Sequence, residues 1–359
     1  MTQANKVPIT TLTNYSNLID KLIERESLRE AYGIGERSAS VVRVPVKGRD
    51  YWYLQRTLNG KRVRTYIGPD TEETRNRTQA IKDAVRHVSD ETPVVDDLIK
   101  MLGATGVLKL SKDESALIHR LAEAGVFQSG GILVGTMAFR LYPFFTGYAL
   151  QSRAPYMTLD IDLSIDRSVS VFIDSNRIDP EEIRRRIALI PKPSLEERGQ
   201  TYQFAVKGTD LTLDILTNLD PAEPFPEAVK PAFRIGFMAK PLEFMDYLVR
   251  DPIRAALPVG KGILLNIPSP ERYAVHKIAV AGQRRDELKR RKDILQSESL
   301  VNVLPEHILD EAVRLFIRGS TDHKRSEEAL SKGLTLFSEP FKDRIGRIVL
   351  PEQGLKQGL

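Results

Sequence analysis

Apolar and polar positions along this chain follow two periods, and the switches between them divide it. Between residues 13 and 32, Leu18, Leu22, Ile23 and Leu28 recur at helical spacing among charges, which predicts an amphipathic helix. Gly33 and Gly35 end that pattern. Val41–Val46 opens a β region. Tyr51–Arg56 and Arg62–Ile67 then flank Asn59-Gly60, a hairpin signal because the tight turn needs positive φ at both central residues. Gly68-Pro69-Asp70 closes this unit. Residues 71–88 predict a helix, and 94–125 predict two more, joined near Gly103–Gly106.

From residue 130 the pattern changes. Gly130–Gly135 is an apolar strand between glycines, and Met137–Phe145 reads as a helix. Thr158–Ile165 alternates strictly, as a half-buried strand does. Asp179-Pro180-Glu181-Glu182 is a helix start, with Asp179 as cap and Pro180 at the first helical position. Tyr202–Val206 and Leu211–Leu216 are strands around the turn Lys207-Gly208-Thr209-Asp210. A capped helix begins at Ser269-Pro270-Glu271, and 304–318 and 324–337 predict two further helices. The expected class is α+β. A basic N-terminal helix/β-hairpin module (1–90) precedes a mixed α/β domain (91–265) and a C-terminal helical domain (266–359). No internal repeat or low-complexity tract interrupts them.

Composition narrows the chemistry. The 359 residues are 41% hydrophobic and 28% charged, an ordinary globular mix. With no cysteine, a disulfide framework, a thiolate zinc site and a cysteine nucleophile are all excluded. No apolar run approaches the roughly 20 residues of a membrane helix, and the first residues lack a charged-then-apolar leader, so a cytoplasmic protein is expected. Residues 1–90 carry sixteen basic and eleven acidic side chains, a difference that equals the whole net charge of +5. A basic N-terminal third on a neutral body is what a polyanion contact, such as nucleic acid, requires. A solvated basic surface gives the same arithmetic. The hairpin adds Trp52, Tyr53 and Tyr66 to Arg56, Lys61, Arg62 and Arg64, a mixture that stacked nucleic acid uses and that a small sheet uses to pack and protect its edge.

The sharpest chemical signal is Asp160-Ile161-Asp162. Residues two apart in a strand share a face, so both carboxylates project together while Leu159, Ile161 and Leu163 turn to the core. Adjacent carboxylates stay ionised only beside positive charge, and a hard divalent cation with oxygen ligands supplies it. Asp214, in Thr212-Leu213-Asp214-Ile215-Leu216, is a third such carboxylate on what should be a neighbouring strand. Three of them could hold two metal ions. Upstream, Val134-Gly135-Thr136 lies where strand gives way to helix, a place where backbone N–H groups meet phosphates. No Walker-type G-x-x-x-x-G-K-[ST] occurs, so P-loop chemistry is not expected.

Together Val134-Gly135-Thr136, Asp160-Ile161-Asp162 and Asp214 resemble the nucleotidyltransferase superfamily, whose members share the DNA polymerase β palm. The stretches Gly130–Thr136, Leu213–Thr217 and Pro268–Lys277 look like bacterial nucleotidyltransferase-like proteins related to AbiEii-type toxins. The resemblance covers roughly residues 120–300. Thr136 departs from the usual Ser or Gly, and the gap from Gly135 to Asp160 exceeds that of compact members. The resemblance implies a polymerase-β-like mixed sheet and Mg²⁺-dependent transfer of an NMP from an NTP to an acceptor hydroxyl. It implies that Asp160, Asp162 and Asp214 bind the metals, that Gly135 and Thr136 hold the β/γ phosphates, and that Lys277 neutralises the triphosphate. Lys292 with Asp293 would form the far wall. The acceptor favoured is RNA, such as a tRNA end, with a protein hydroxyl as the alternative, in a toxin or phage-defence role; a toxin would be held in check by an inhibitory partner protein.

On the helix after Ser269, Lys277, Arg284 and Arg291 are spaced by seven and would share one side, beside an apolar stripe of Ala274, Ile278, Ala281 and Leu288. His276 reads as a packed residue and not as a general base. The alternative function is a catalytically inactive nucleic-acid-binding protein on the same fold.

Overall fold

A computed structural model describes residues 5–34, 39–58, 61–150, 160–165, 184–185, 187–192, 201–219, 230–232, 237–319 and 322–345. The chain divides into two units. One comprises residues 13–105 and 256–264, the other residues 1–12, 106–255 and 265–359.

In the smaller unit, helix α1 (Ile9–Tyr32, whose first residues belong to the other unit) is followed by strands β1 (Ala39–Val46), β2 (Arg49–Leu58) and β3 (Lys61–Pro69). They form an antiparallel sheet in the order β1-β2-β3. The predicted Asn59-Gly60 turn lies outside the described residues. One face of the sheet packs Leu54 and Ala39 with Ile34, Ile81 and Ala84 in a small apolar core. Helix α2 (Glu72–Ala104) supplies Ile81 and Ala84. It starts at Thr71, whose hydroxyl accepts from the Thr74 amide at 3.3 Å.

The sequence predicts a break after residue 88, but α2 runs through Pro93. Proline removes one amide from the ladder. Ile81 and Ala84 before it and Val95, Leu98 and Leu102 after it are all buried, and that packing keeps one continuous helix.

Beyond residue 105 the larger unit continues with α3 (Lys112–Glu123), opened by a capping box. The Glu114 amide donates to the Ser111 hydroxyl at 3.1 Å, and the Glu114 carboxylate accepts from the Ser111 amide at 2.6 Å. Strand β4 (Gly131–Val134) leads into α4 (Gly135–Phe139) and α5 (Pro143–Thr146). One helix over 137–145 is expected from sequence; the chain forms two short ones, because Pro143 cannot donate into a continuing ladder.

Strands β5 (Asp160–Ile165), β6 (Leu189–Pro191), β7 (Gln203–Val206), β8 (Thr212–Asn218), β9 (Lys230–Ala232) and β10 (Phe237–Leu242) follow. The sheet is mixed, in the order β4-β5-β8-β10-β9, with β7 joining β6 to β8. β5–β8 and β8–β10 are parallel, and β4–β5 and β7–β8 antiparallel. The helix start predicted at Asp179 lies outside the described residues.

A short helix α6 (Met245–Val249) and strands β11 (Ile253–Leu257) and β12 (Ile263–Ile267) lead to α7 (Pro270–Ala281), α8 (Glu287–Val301), α9 (Glu306–Arg318) and α10 (His323–Leu334). Helix α7 is central, with Tyr273, Ala274, Val275, Ile278, Ala279 and Ala281 fully buried. α10 approaches it at Gly333, where a Cβ would stand 1.9 Å from the Ile278 carbonyl oxygen. The protein is therefore α+β with a mixed sheet. Among the described residues no helix is long and apolar enough to cross a membrane.

Candidate active site

Strand alternation places Ile161 and Leu163 in the core, each fully buried, and leaves Asp160 and Asp162 on the other face, partly buried. Leu159 lies outside the described residues. The parallel register pairs Asp162 directly with Asp214, and Asp160 with Thr212. On its far side Asp214 is paired with Gln203 of β7. The Gln203 amide donates to Asp214 Oδ2 at 3.1 Å, while Oδ1 is buried and has no hydrogen-bond partner.

The third wall is the turn between β4 and α4. Val134 is the antiparallel partner of Asp162. Gly135 sits at φ +64°, and a Cβ there would lie 2.1 Å from Asp162 Oδ2. Only glycine meets both demands, the left-handed backbone and the contact with a carboxylate. Thr136 is buried beside it. Because α4 spans five residues, the amides here act as a turn and not as the end of a long helix dipole.

Helices α7 and α8 bring the cations. Lys277 Nζ lies 2.5 Å from Asp293 Oδ1, and Arg284 Nε lies 2.9 Å from Oδ2. Lys277 and Asp293 are both buried. Burial alone would raise Asp293, but Lys277 and Arg284 together hold it below the ordinary carboxylate range. Lys277 also stands 5.2 Å from the centroid of the Tyr273 ring. The Tyr273 hydroxyl lies within hydrogen-bond distance of the Gly135 carbonyl (3.0 Å) and of Gln296 Oε1 (2.9 Å), so α7 and α8 clamp the glycine turn.

Arg284 and Lys277 do not share a helix face as the spacing of seven predicts. α7 ends at Ala281, Arg284 lies in the connection and Arg291 on α8. Asp286 starts α8 by accepting from the Lys289 amide at 3.1 Å. Leu288, placed by the sequence reading in the apolar stripe, is 81% exposed for the same reason.

Electrostatics follow from this packing. Burial raises the Asp162 carboxyl, and Asp160 adds to the shift, against the pull of Lys277, Lys292 and Arg284. Burial likewise lifts Asp214 to about 6, helped by Asp162 and Asp160 and opposed by the Gln203 bond. Lys292 is pushed down to about 8 by burial and by Lys277, while Asp162, Asp293 and Asp160 hold it up. Its ammonium thus lies in the field of Asp160, Asp162 and Asp293. His276 is buried and lowered to about 3, so it stays neutral.

An acid pair with a bare buried oxygen and an all-oxygen donor set fits a hard divalent ion. Among the described residues, the His, Asp and Glu groups whose ligand atoms already lie within 4.8 Å of one another are Glu24, His87 and Glu91. The three aspartates stand wider than that, so gathering an ion among them takes side-chain rotation.

Gln203 and Tyr273 were not singled out from sequence. Gln203 was legible: a hairpin turning at 207–210 pairs it with Asp214. Tyr273 had no such signal, since its role depends on where α7 meets β4.

Residues 112–317 match a family described as Nucleotidyltransferase, over more than half of the chain. Residues 17–76 match a family described as a domain of unknown function, DUF6788. No curated protein matches. Among solved structures, an antigenic nucleotidyltransferase-like protein from Paracoccidioides brasiliensis is 16% identical, with 62% of this chain and 94% of that one covered and a TM-score of 0.30. So loose a superposition supports no argument about the fold. The match over residues 112–317 places the chain: it belongs to this nucleotidyltransferase family.

Proposed function

We propose that the protein transfers a nucleoside monophosphate from an NTP to an acceptor hydroxyl, releasing pyrophosphate, with Mg²⁺ bound by Asp160, Asp162 and Asp214. The observation that carries this reading is the register that sets Asp162 beside Asp214, with Asp214 Oδ1 buried and without a partner. When bound, Mg²⁺ would polarise the phosphate oxygens and favour the ionised acceptor oxygen.

The chain's own residues do the rest. Asp214, at about 6, is ionised at neutral pH and can take the hydroxyl proton as the acceptor oxygen attacks the α-phosphorus. The bond from the α-phosphorus to the bridging oxygen breaks, and its electrons leave with pyrophosphate. The Gly135–Thr136 turn would bind the β/γ phosphates through backbone amides. Lys292, in the field of the acids, would neutralise the triphosphate. Lys277 is already held by Asp293. In this reading it contributes its charge from within that pair, and Asp293 keeps it placed. Positioning and electrostatics carry the rate in such transfers.

RNA is the acceptor this reading favours, with a tRNA end the first candidate, and the basic N-terminal residues support it. The stretches similar to AbiEii-type proteins support a toxin or phage-defence role with a restraining partner protein. The test is to incubate the full chain with Mg²⁺, each α-labelled NTP in turn and total RNA. Label on RNA supports the reading. Label on protein alone would overturn the RNA acceptor, and no transfer with any NTP would overturn the enzyme.

A further inference from the structure

The sheet β1-β2-β3 has two unlike faces. On the face that packs in the unit's core, the cations and the indole are engaged by neighbouring groups. Arg43 pairs with Asp50, Trp52 Nε1 donates to Asp70 at 2.9 Å, and Lys82 of α2 lies 5.0 Å from the Trp52 ring centroid. Arg56 donates to the Gly33 carbonyl at 2.9 Å.

The opposite face is different. Strand alternation and the cross-strand register put Arg49, Tyr51 and Tyr53 of β2 on it, with Tyr66, Arg64 and Arg62 of β3. Tyr53 is the direct partner of Tyr66. The Tyr66 ring lies 5.6 Å from Tyr53 and 6.1 Å from Tyr51, centroid to centroid, and Tyr66 is 54% exposed. Arg64 donates to the neutral Gln55 amide at 3.0 Å. Among the described residues none of Arg49, Arg62 and Arg64 has a carboxylate partner, and the alternation leaves no carboxylate on this face.

A row of tyrosines with three cations beside it, and no acid, is a surface with one complement. Bases stack on the rings and phosphates meet the guanidinium groups. A duplex hides its base faces, so the match is to a single strand. The phenol hydroxyls and the Gln55 amide offer hydrogen bonds to 2′-hydroxyls. We propose that this face binds single-stranded RNA. The choice of RNA rests on the acceptor reading above. The stacking surface rests on the sheet alone, and it gives a role to residues within the DUF6788 match.

The experiment measures binding of the full chain to a labelled single-stranded RNA of about 12 nucleotides, without NTP or Mg²⁺. Fluorescence anisotropy would be read between about 50 and 200 mM salt. Tyr53→Ala/Tyr66→Ala is expected to weaken binding by about tenfold or more. Tyr53→Phe/Tyr66→Phe, which keeps the rings, should stay within a few-fold of wild type. Arg62→Gln/Arg64→Gln should weaken binding and reduce the slope of log K against log salt by about 1 to 1.5. Circular dichroism confirms that each variant folds.

Binding that ignores these variants would overturn the proposal. So would equal affinity for single-stranded DNA or for duplex, no RNA binding at all, or a dimer that the Tyr66→Ala change dissolves. The two readings fail separately. RNA bound on this face with no nucleotide transferred would sink the transferase and leave the surface standing. Transfer to RNA undiminished in the tyrosine and arginine variants would do the reverse.

Discussion

Asp162 and Asp214 are direct partners across the parallel β5–β8 pair, and burial holds both carboxyls above their ordinary range. A carboxyl raised on folding binds its proton more tightly in the folded state. Its contribution to stability is full below the unfolded value near pH 4 and is lost as pH rises through about 6. A divalent ion needs the ionised form, so its effect runs the other way. Magnesium should raise the melting temperature clearly at about pH 8 and little at about pH 5. A shift of equal size at both would contradict the assignment of these two acids.

Gly135 meets two demands at once, φ +64° and 2.1 Å from a would-be Cβ to Asp162 Oδ2. Gly135→Ala should cost about 1–3 kcal/mol, from left-handed strain and displacement of the Asp162 carboxylate. It should also abolish the magnesium-dependent shift at about pH 8. Calorimetry with and without the ion separates the two effects. A variant that keeps its full magnesium shift would show that Asp162 does not need this turn.

Lys277 and Asp293 form a buried pair 2.5 Å apart. Removing one partner strands the other, so Asp293→Asn should destabilise by about 3–5 kcal/mol. Lys277→Met/Asp293→Leu removes both charges and should recover part of that loss, though Arg284 then lacks its partner. Urea unfolding of Lys277→Met, of Asp293→Leu and of the double variant measures the coupling. Additive losses would mean that the pair is not coupled.

At Gly333 the next atom is backbone, 1.9 Å from a would-be Cβ. Neither helix can yield without moving, so Gly333→Ala should destabilise by about 2–4 kcal/mol. Thermal unfolding would check it, and a neutral result would contradict the close α7–α10 packing.

What could be read from the sequence was what local pattern encodes. The alternation around Ile161 marks a strand with two acids on one face, and the turn at 207–210 implies the Gln203–Asp214 pairing. That β5 lies beside β8, and in parallel, is a non-local fact that no local periodicity states. The row Lys277, Arg284 and Arg291 shows the opposite limit. Its spacing implies a common face only on one unbroken helix, and the chain restarts at Asp286, whose carboxylate caps the start of α8. The break expected after residue 88 errs in the other direction: tertiary packing on both sides of Pro93 outweighs one lost hydrogen bond.

The central claim is that the three aspartates serve nucleotidyl transfer. The most direct measurement follows two labels in one reaction, the α- and the γ-phosphate of the same NTP, with wild type and with Asp214→Asn. The Asn side chain keeps the shape and removes the charge. The account predicts that α-label enters the acceptor, that γ-label leaves in pyrophosphate, and that Asp214→Asn slows the transfer by about 10²-fold or more while the protein stays folded. Incorporation of γ-label, or undiminished transfer by the variant, would contradict it.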